Sequence, residues 1–162
     1  MSDEFSIRPA VQADGSFLGD MVVEAASWRG DAPRARHEIL ASEHRRYVSG
    51  WMRPADAGFI AADARGVPIG AAWYRMLTPA EPGFGFVDRA VPELIIGVRP
   101  IWRARGAGRE LLRSLMRRAS EQGHVRLSLS VERGNFAHTL YRSEGFIVLH
   151  EDDRRLTMVR RL

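Results

Sequence analysis

The run Glu93-Leu94-Ile95-Ile96-Gly97-Val98 leads through a turn holding Gly106 and Gly108 into a strongly amphipathic segment. This is the most informative stretch of the chain. Apolar residues without alternation read as a strand covered on both faces. A glycine inside such a strand, Gly97, signals a bulge or the close approach of another backbone. From Gly108 to about Gln122, Leu111, Leu112, Leu115, Met116 and Ala119 fall on one helical face. Arg109, Arg113, Arg117 and Glu121 fall on the other, and Gly123 is placed to cap the helix.

The flanking segments extend the pattern. Phe5 and Ile7 before Arg8-Pro9 predict a short first strand. Phe17, Leu18, Met21, Val22 and Ala25 predict a helix running to about Trp28, with Asp14 as N-cap and Gly30 as its end. Pro33 then opens a second helix through Ile39, Leu40, Tyr47 and Val48 to about Trp51. Phe59–Ala62 and Val67–Tyr74 read as a hairpin around Asp63-Ala64-Arg65-Gly66. Residues 77–92, with Pro79, Pro82, Gly83, Gly85 and Pro92, form a loop long enough to be functional. Val125–Val131 alternates as a strand, with Arg126, Ser128 and Ser130 on its polar side. Phe136–Ser143 is a short helix stopped by Gly145, and Phe146–Leu149 pairs with Leu156–Val159 across the acidic turn 151–153. The order β-α-α-β-β-β-α-β-α-β-β predicts a mixed α/β or α+β sheet domain. A length of 162 residues predicts one domain burying roughly 70% of its unfolded surface.

Composition excludes several chemistries. There is no cysteine, hence no disulfide framework, thiolate metal site or thiol nucleophile. All 24 basic residues are arginine, so Schiff-base chemistry and a P-loop lysine are excluded. No apolar stretch nears the roughly 20 residues of a membrane span. Met1-Ser2-Asp3-Glu4 has no basic region ahead of an apolar run, so the expectation is a cytoplasmic protein without a leader. Residues 1–95 hold 10 arginines against 13 acids, and residues 96–162 hold 14 against 7. An anionic partner is therefore expected at the second half. For many single arginines a solvated surface is an equal reading.

The strand-turn-helix unit points to one kind of anion. The first N–H groups of a helix have no partner inside it, and with the helix dipole they form an anion site. Gly106 and Gly108 let oxygens approach the backbone, and Arg103, Arg105 and Arg109 add charge. A pyrophosphate or similar group fits. The lysine-containing phosphate loop does not match. The dinucleotide fingerprint also fails, because Leu111 stands where a third small residue is needed and Glu132 lies late for the ribose acid. Alone, Gly-x-Gly also reads as a tight strand-to-helix turn.

What matches is Arg-x-x-Gly-x-Gly, Arg103 to Gly108, after Val98-Arg99-Pro100. This resembles the acetyl-CoA loop of GNAT-type N-acetyltransferases. Asn135-Phe136-Ala137-His138-Thr139-Leu140-Tyr141 followed by Gly145-Phe146 resembles the family's second motif, and Ile7-Arg8-Pro9-Ala10 with Ala13-Asp14 its beginning. Arg105 stands where the family often has glycine, and Ala107 where it often has a β-branched residue. The resemblance implies a single domain over 1–162, with 1–92 mainly on the acceptor side and 93–162 mainly on the acetyl-CoA side. It implies a mostly antiparallel sheet of six to seven strands, about four helices, and a bulged, splayed central strand. Acetyl-CoA is the implied cosubstrate, without a metal, and a primary amine on a small molecule or peptide the implied acceptor. Homodimers occur in the family.

Residue roles follow from the same resemblance. The backbone of Ile96, Gly97 and Val98 would pair with the pantetheine arm. The N–H groups of Arg103, Ala104, Arg105, Gly106, Ala107, Gly108 and Arg109 would take the pyrophosphate, with Arg103 its foremost side-chain contact. Asn135 would bond the pantetheine; by itself it also reads as a helix cap or turn residue. Tyr141 would protonate the leaving sulfur; by itself it also reads as a core tyrosine. Glu93 is the candidate general base, or else an exposed strand-start residue, and Glu81 is a weaker candidate. His37 and His44, seven apart, could share a helix face, with no metal triad evident. The acidity of residues 1–95 hints at a cationic acceptor. Two alternatives remain at this point: a non-catalytic acyl-CoA-binding or regulatory module, and a basic nucleic-acid-binding domain. The latter lacks interleaved aromatics, since Trp102 is alone among residues 97–126.

Overall fold

The computed structural model describes residues 4–29 and 35–162. Its strands are β1 (Phe5–Pro9), β2 (Ala57–Asp63), β3 (Pro68–Arg75), β4 (Glu93–Val98), β5 (Arg126–Glu132), β6 (Ile147–Glu151) and β7 (Arg155–Arg161). Its helices are α1 (Gly15–Ala26), α2 (Arg36–Ala41), α3 (Ala107–Glu121) and α4 (Ala137–Ser143). The order along the chain is the expected one. In space the sheet runs β1-β2-β3-β4-β5-β7-β6, antiparallel throughout except between β4 and β5.

Helices cover both faces. On one, Leu18, Met21 and Val22 of α1 and Ile39 of α2 pack on Ile60, Ala71 and Trp73. On the other, Leu111, Leu112 and Leu115 of α3 and Tyr141 of α4 pack on Tyr74, Leu94, Leu127, Leu129 and Met158. Each fully buried leucine of α3 contributes about 2 kcal/mol by leaving water. α3 itself lies against β1 to β4, and a single apolar cluster spans both sides of the β4/β5 boundary. Among the described residues no helix is long and apolar enough to cross a membrane.

That boundary is where the sheet opens. β4 and β5 share a single Cα pair, Glu93 with Ser128, supported by Ser128 N–H donating to Pro92 O at 3.0 Å. Past it the strands diverge, so the edge of β4 from Leu94 onward faces a wedge rather than a neighbour. The expected splay is present. The expected bulge is not, because the β3–β4 ladder keeps one register from Gly70↔Val98 to Arg75↔Glu93. Gly97 instead serves close approach: a Cβ there would lie 2.8 Å from Met21 O, so α1 rests its backbone on β4.

Two local expectations are corrected. The predicted second helix is broken at Ser42 and does not reach Trp51. Ser42 has extended backbone, its Oγ donates to Ile39 O at 2.5 Å and accepts from His44 N, and a 3₁₀ turn follows over Glu43–Tyr47. A serine hydroxyl that competes for backbone groups ends one helix and starts the next. Asp14 stands at the α1 N-cap position but does not cap. Its carboxylate accepts from Arg8 and from Val11 N, which holds it below the usual carboxylate range. Gly30 and Pro33, the predicted end and start of these helices, lie outside the described residues.

The segment after the 3₁₀ turn is anchored by an ion pair that sequence patterning does not reveal. Arg75, wholly buried on β3, donates Nε to Asp56 Oδ1 (3.1 Å) and Nη2 to Asp56 Oδ2 (2.6 Å). Its Nη1 donates to Arg46 O and Ser49 O, and Arg53 N donates to Asp56 Oδ2. Each buried charge therefore has several partners. Removing one of them leaves the other stranded in the interior. Asp56→Ala is expected to lower unfolding free energy by about 3–5 kcal/mol, measured by urea denaturation.

Candidate functional site

The turn before α3 holds an unbroken row of donors. None of the N–H groups of Ala104, Arg105, Gly106, Ala107, Gly108 and Arg109 donates a hydrogen bond among the described residues. The first bond of the helix is Glu110 N to Gly106 O at 3.1 Å. Gly106 is the N-cap with φ +91°, and Ala104 also has positive φ, +61°. Backbone that alternates into the left-handed region curls its N–H groups toward a common point. Arg105 has no positive φ, so a side chain there in place of the family's glycine is conformationally free. A Cβ on Gly108 would lie 3.4 Å from Leu140 Cδ2 and 4.0 Å from Ile96 Cδ1. The row of donors, the opened edge of β4 and α4 therefore meet at one place.

The arginines around this loop are more engaged than their number suggests. Arg103 donates Nε to Val98 O at 3.3 Å and approaches Glu24 at 3.5 Å. Arg105 approaches Glu4 at 3.6 Å and lies over the Trp102 ring. Arg99 reaches Asp20 at 3.9 Å. Arg109 turns away from the loop to Ser143 and Glu144, which it shares with Arg113. These two guanidiniums, Arg113 foremost, hold the Glu144 carboxylate below its usual range. Arg109 keeps its place as a backbone donor but not as a side chain aimed at an anion. Arg103 and Arg105 remain at the loop.

Asn135 caps α4 from just outside it. Its Oδ1 accepts from Ala137 N at 2.9 Å, and its carbonyl accepts from His138. The cap reading of this residue is therefore realised, and the carboxamide nitrogen makes no bond among the described residues. Tyr141 faces the α3 core, 6% exposed, beside Phe146 with ring centroids 6.1 Å apart. Its hydroxyl makes no hydrogen bond among the described residues. Burial pushes the phenol up, so it stays protonated across the physiological range.

Glu93 is not an exposed strand start. It is 1% exposed, at the apex of the wedge. Its Oε2 accepts from Tyr47 Oη at 2.6 Å and from Gly85 N at 3.0 Å. Tyr47 Oη accepts in turn from Phe84 N at 2.8 Å, and burial, reinforced by the Glu93 charge, pushes this phenol well up. Glu93 Oε1 is buried without a partner among the described residues, and so are Ser128 Oγ and Ser130 Oγ on β5. Burial raises the Glu93 carboxyl to about 7, against the opposing hydrogen bonds from Tyr47 and Gly85. A carboxyl that titrates near neutrality beside an opened strand edge can act as a base.

The loop 77–92 builds this environment. A Cβ on Gly83 would lie 2.1 Å from Glu93 Oε1, and one on Gly85 would lie 2.5 Å from the Leu129 carbonyl carbon. Only glycine lets the loop press between β4 and β5 there. Tyr47, Ser128 and Ser130 were legible in the sequence only as a helical apolar residue and a strand's polar side. Glu81 is exposed and approaches Arg45 at 3.8 Å, away from this cluster. His37 is exposed on α2, whereas His44, in the 3₁₀ turn, packs at a tilt against Phe84 with centroids 5.0 Å apart, so they share no helix face. Among the described residues no group of three or more His, Asp or Glu could hold a metal ion.

Comparison with known proteins agrees with this geometry. The model of the acetyltransferase (GNAT) family matches residues 22–146. No curated protein matches the chain. A GCN5-related N-acetyltransferase from Kribbella flavida superposes with a TM-score of 0.72 at 21% identity, covering 100% of both chains. The PaiA N-acetyltransferase of Thermoplasma acidophilum, solved in complex with coenzyme A, gives 0.69 at 19% over 100% of both. The YncA protein of Salmonella typhimurium, solved with its cofactor acetyl-CoA, gives 0.67 at 23% over 98% of this chain and 94% of that one. At these identities the likeness is one of fold.

The raised Glu93 carboxyl means that the folded protein holds this proton more tightly than the unfolded chain. Its effect is a loss of stability as pH rises from the ordinary carboxyl range to about 7. Glu93→Gln is expected to abolish that loss, on the order of 3 kcal/mol, in urea denaturation at a series of pH values. Tyr47→Phe removes a bond that favours the ionised form, so Glu93 should titrate above 7 in that variant. An unchanged carboxyl titration by infrared difference spectroscopy would refute the role given to Tyr47.

Proposed function

Because this chain belongs to the acetyltransferase (GNAT) family, we propose that it transfers the acetyl group of acetyl-CoA to a primary amine. The observation that carries the reading is the row of unpaired N–H groups from Ala104 to Arg109 beside the opened edge of β4. The row suits the pyrophosphate, helped by the α3 dipole and by Arg103 and Arg105. The β4 edge at Ile96, Gly97 and Val98 suits the amide groups of a pantetheine arm, which would add to the sheet as a strand does. The free carboxamide nitrogen of Asn135 is a further donor at the α4 end of the wedge.

When bound, acetyl-CoA supplies an activated thioester, so the protein's task is positioning and proton handling. The amine must attack as a free base. Glu93 Oε1 is the carboxylate atom without a donor among the described residues, and Ser128 Oγ and Ser130 Oγ on the facing strand β5 are likewise unpaired; a water taken up there would relay the proton. Oε1 lies against Gly83, so residues 82–86 must give way for an amine or water to reach it. As the nitrogen–carbon bond forms and the carbon–sulfur bond breaks, the amine proton passes to Glu93. The departing sulfur takes the Tyr141 proton, which the buried phenol retains until then.

Calorimetry should give micromolar-range acetyl-CoA binding. Gly108→Ala has room in the free protein, so it should leave Tm unchanged while weakening that binding. Tyr141→Phe should lower kcat for thiol release by about 100-fold with acetyl-CoA affinity unchanged. Absence of any binding heat and thermal shift with acetyl-CoA would overturn the reading. Binding without thiol release across a panel of amines would favour a non-catalytic acyl-CoA module.

A further inference from the structure

Two guanidiniums beside Glu93 have no carboxylate partner among the described residues. Arg155, at the start of β7, lies half-buried over the face of Phe84, with Cζ 3.8 Å from the ring centroid. Its side chain makes no hydrogen bond or ion pair there, although Glu132 stands opposite it in the β5–β7 ladder. Glu132 instead accepts from Trp28 Nε1 at 2.9 Å. Arg46, in the 3₁₀ turn, gives one nitrogen to Pro82 O, while its Nε is buried and unpaired.

Both are placed by the machinery that holds Glu93. Phe84 donates its N–H to Tyr47 Oη, and Tyr47 donates to Glu93, so the ring under Arg155 is tied to the carboxylate. Pro82, which anchors Arg46, precedes Gly83, whose backbone covers Glu93 Oε1. The charges of Arg46 and Arg155 both act on the Glu93 carboxyl. A stacked guanidinium leaves its N–H edges free for a planar oxyanion. Elsewhere in the molecule, arginines such as Arg75, Arg109 and Arg113 are satisfied by acids.

Resting on the acetyltransferase reading, we infer that the acceptor is an amine that itself carries an oxyanion, of the amino-acid class, with Arg155 as the contact for that anion. Arg46 adds attraction from the other side of the loop. The local charge at the base is thus opposite to what the acidic balance of residues 1–95 suggests.

The test compares initial rates of thiol release from acetyl-CoA with four acceptors: α-amino acids, their carboxamides, the matching aminoalkylphosphonates and plain diamines. Charged hydrogen bonds of this kind contribute about 1.5–3 kcal/mol, so amino acids should exceed carboxamides roughly 10- to 100-fold in kcat/KM. Phosphonates that match or exceed the amino acids would mark the phosphonate as the natural oxyanion. Arg155→Met should raise KM for the anionic acceptors far more than for the carboxamides and so erase the preference between them. Calorimetry with N-acetyl amino acids in the presence of CoA gives a readout without turnover, and Arg155→Met should lose that binding. Equal or greater activity on carboxamides or diamines in the unaltered protein would overturn the inference while keeping the acetyltransferase reading. The same result follows if the preference persists in Arg155→Met. Lack of acetyl-CoA binding would overturn both.

Discussion

The rest of the structure depends on how little β4 and β5 touch. One Cα pair, Glu93 with Ser128, joins them, and the strands part beyond it. The two halves of the sheet do not need that ladder to stay together. α3 lies against β1 to β4, and its leucines belong to one apolar cluster that includes Leu94 and Tyr74 on that side and Tyr141, Phe146, Leu127, Leu129 and Met158 on the other. Apolar burial is non-directional, so it can hold the halves while leaving backbone groups at the wedge unpaired. An unpaired strand edge is ordinarily a liability. Here it opens beside the donors at the start of α3, which is where the proposed reading seats acetyl-CoA.

The same division between apolar holding and polar exposure governs charge. A chain with 24 arginines and no lysine invites the view that arginine side chains grip the anion. In the folded protein Arg109 and Arg113 instead close on Glu144, fastening α3 to the end of α4. The loop's donors are backbone N–H groups, fixed by the positive φ of Ala104 and Gly106. Fixed donors cost no side-chain ordering when an anion arrives.

Buried polar groups mark the chemistry more sharply than the surface does. The Arg75–Asp56 pair is buried, but each charge has several partners, and its role is to fasten residues 46–56 to β3. Around Glu93 the opposite holds. Glu93 Oε1, Arg46 Nε, Ser128 Oγ and Ser130 Oγ are buried without partners among the described residues. Unsatisfied buried groups are costly, and a fold retains them where something else will pair with them.

The sequence by itself determined the element order, the β4 and α3 bounds to within a residue, and the donor loop. Each of these rests on local physics: hydrophobic period, glycine conformation and the orphan groups of a helix start. It left Asn135 between cap and ligand contact, and it extended the second helix past Ser42, whose hydroxyl competes with the backbone. Only the tertiary structure decided which polar residues share an environment. Tyr47, Phe84, Glu93 and Arg155 come from four separate segments, and no periodicity links them. Ser128 and Ser130 read as a strand's wet face until the loop 77–92 covers them. Arg75 acquires its role only when Asp56 is folded against it. Pairing, burial and carboxyl titration depend on what long-range packing brings within a few ångströms, and a linear pattern carries no such distances.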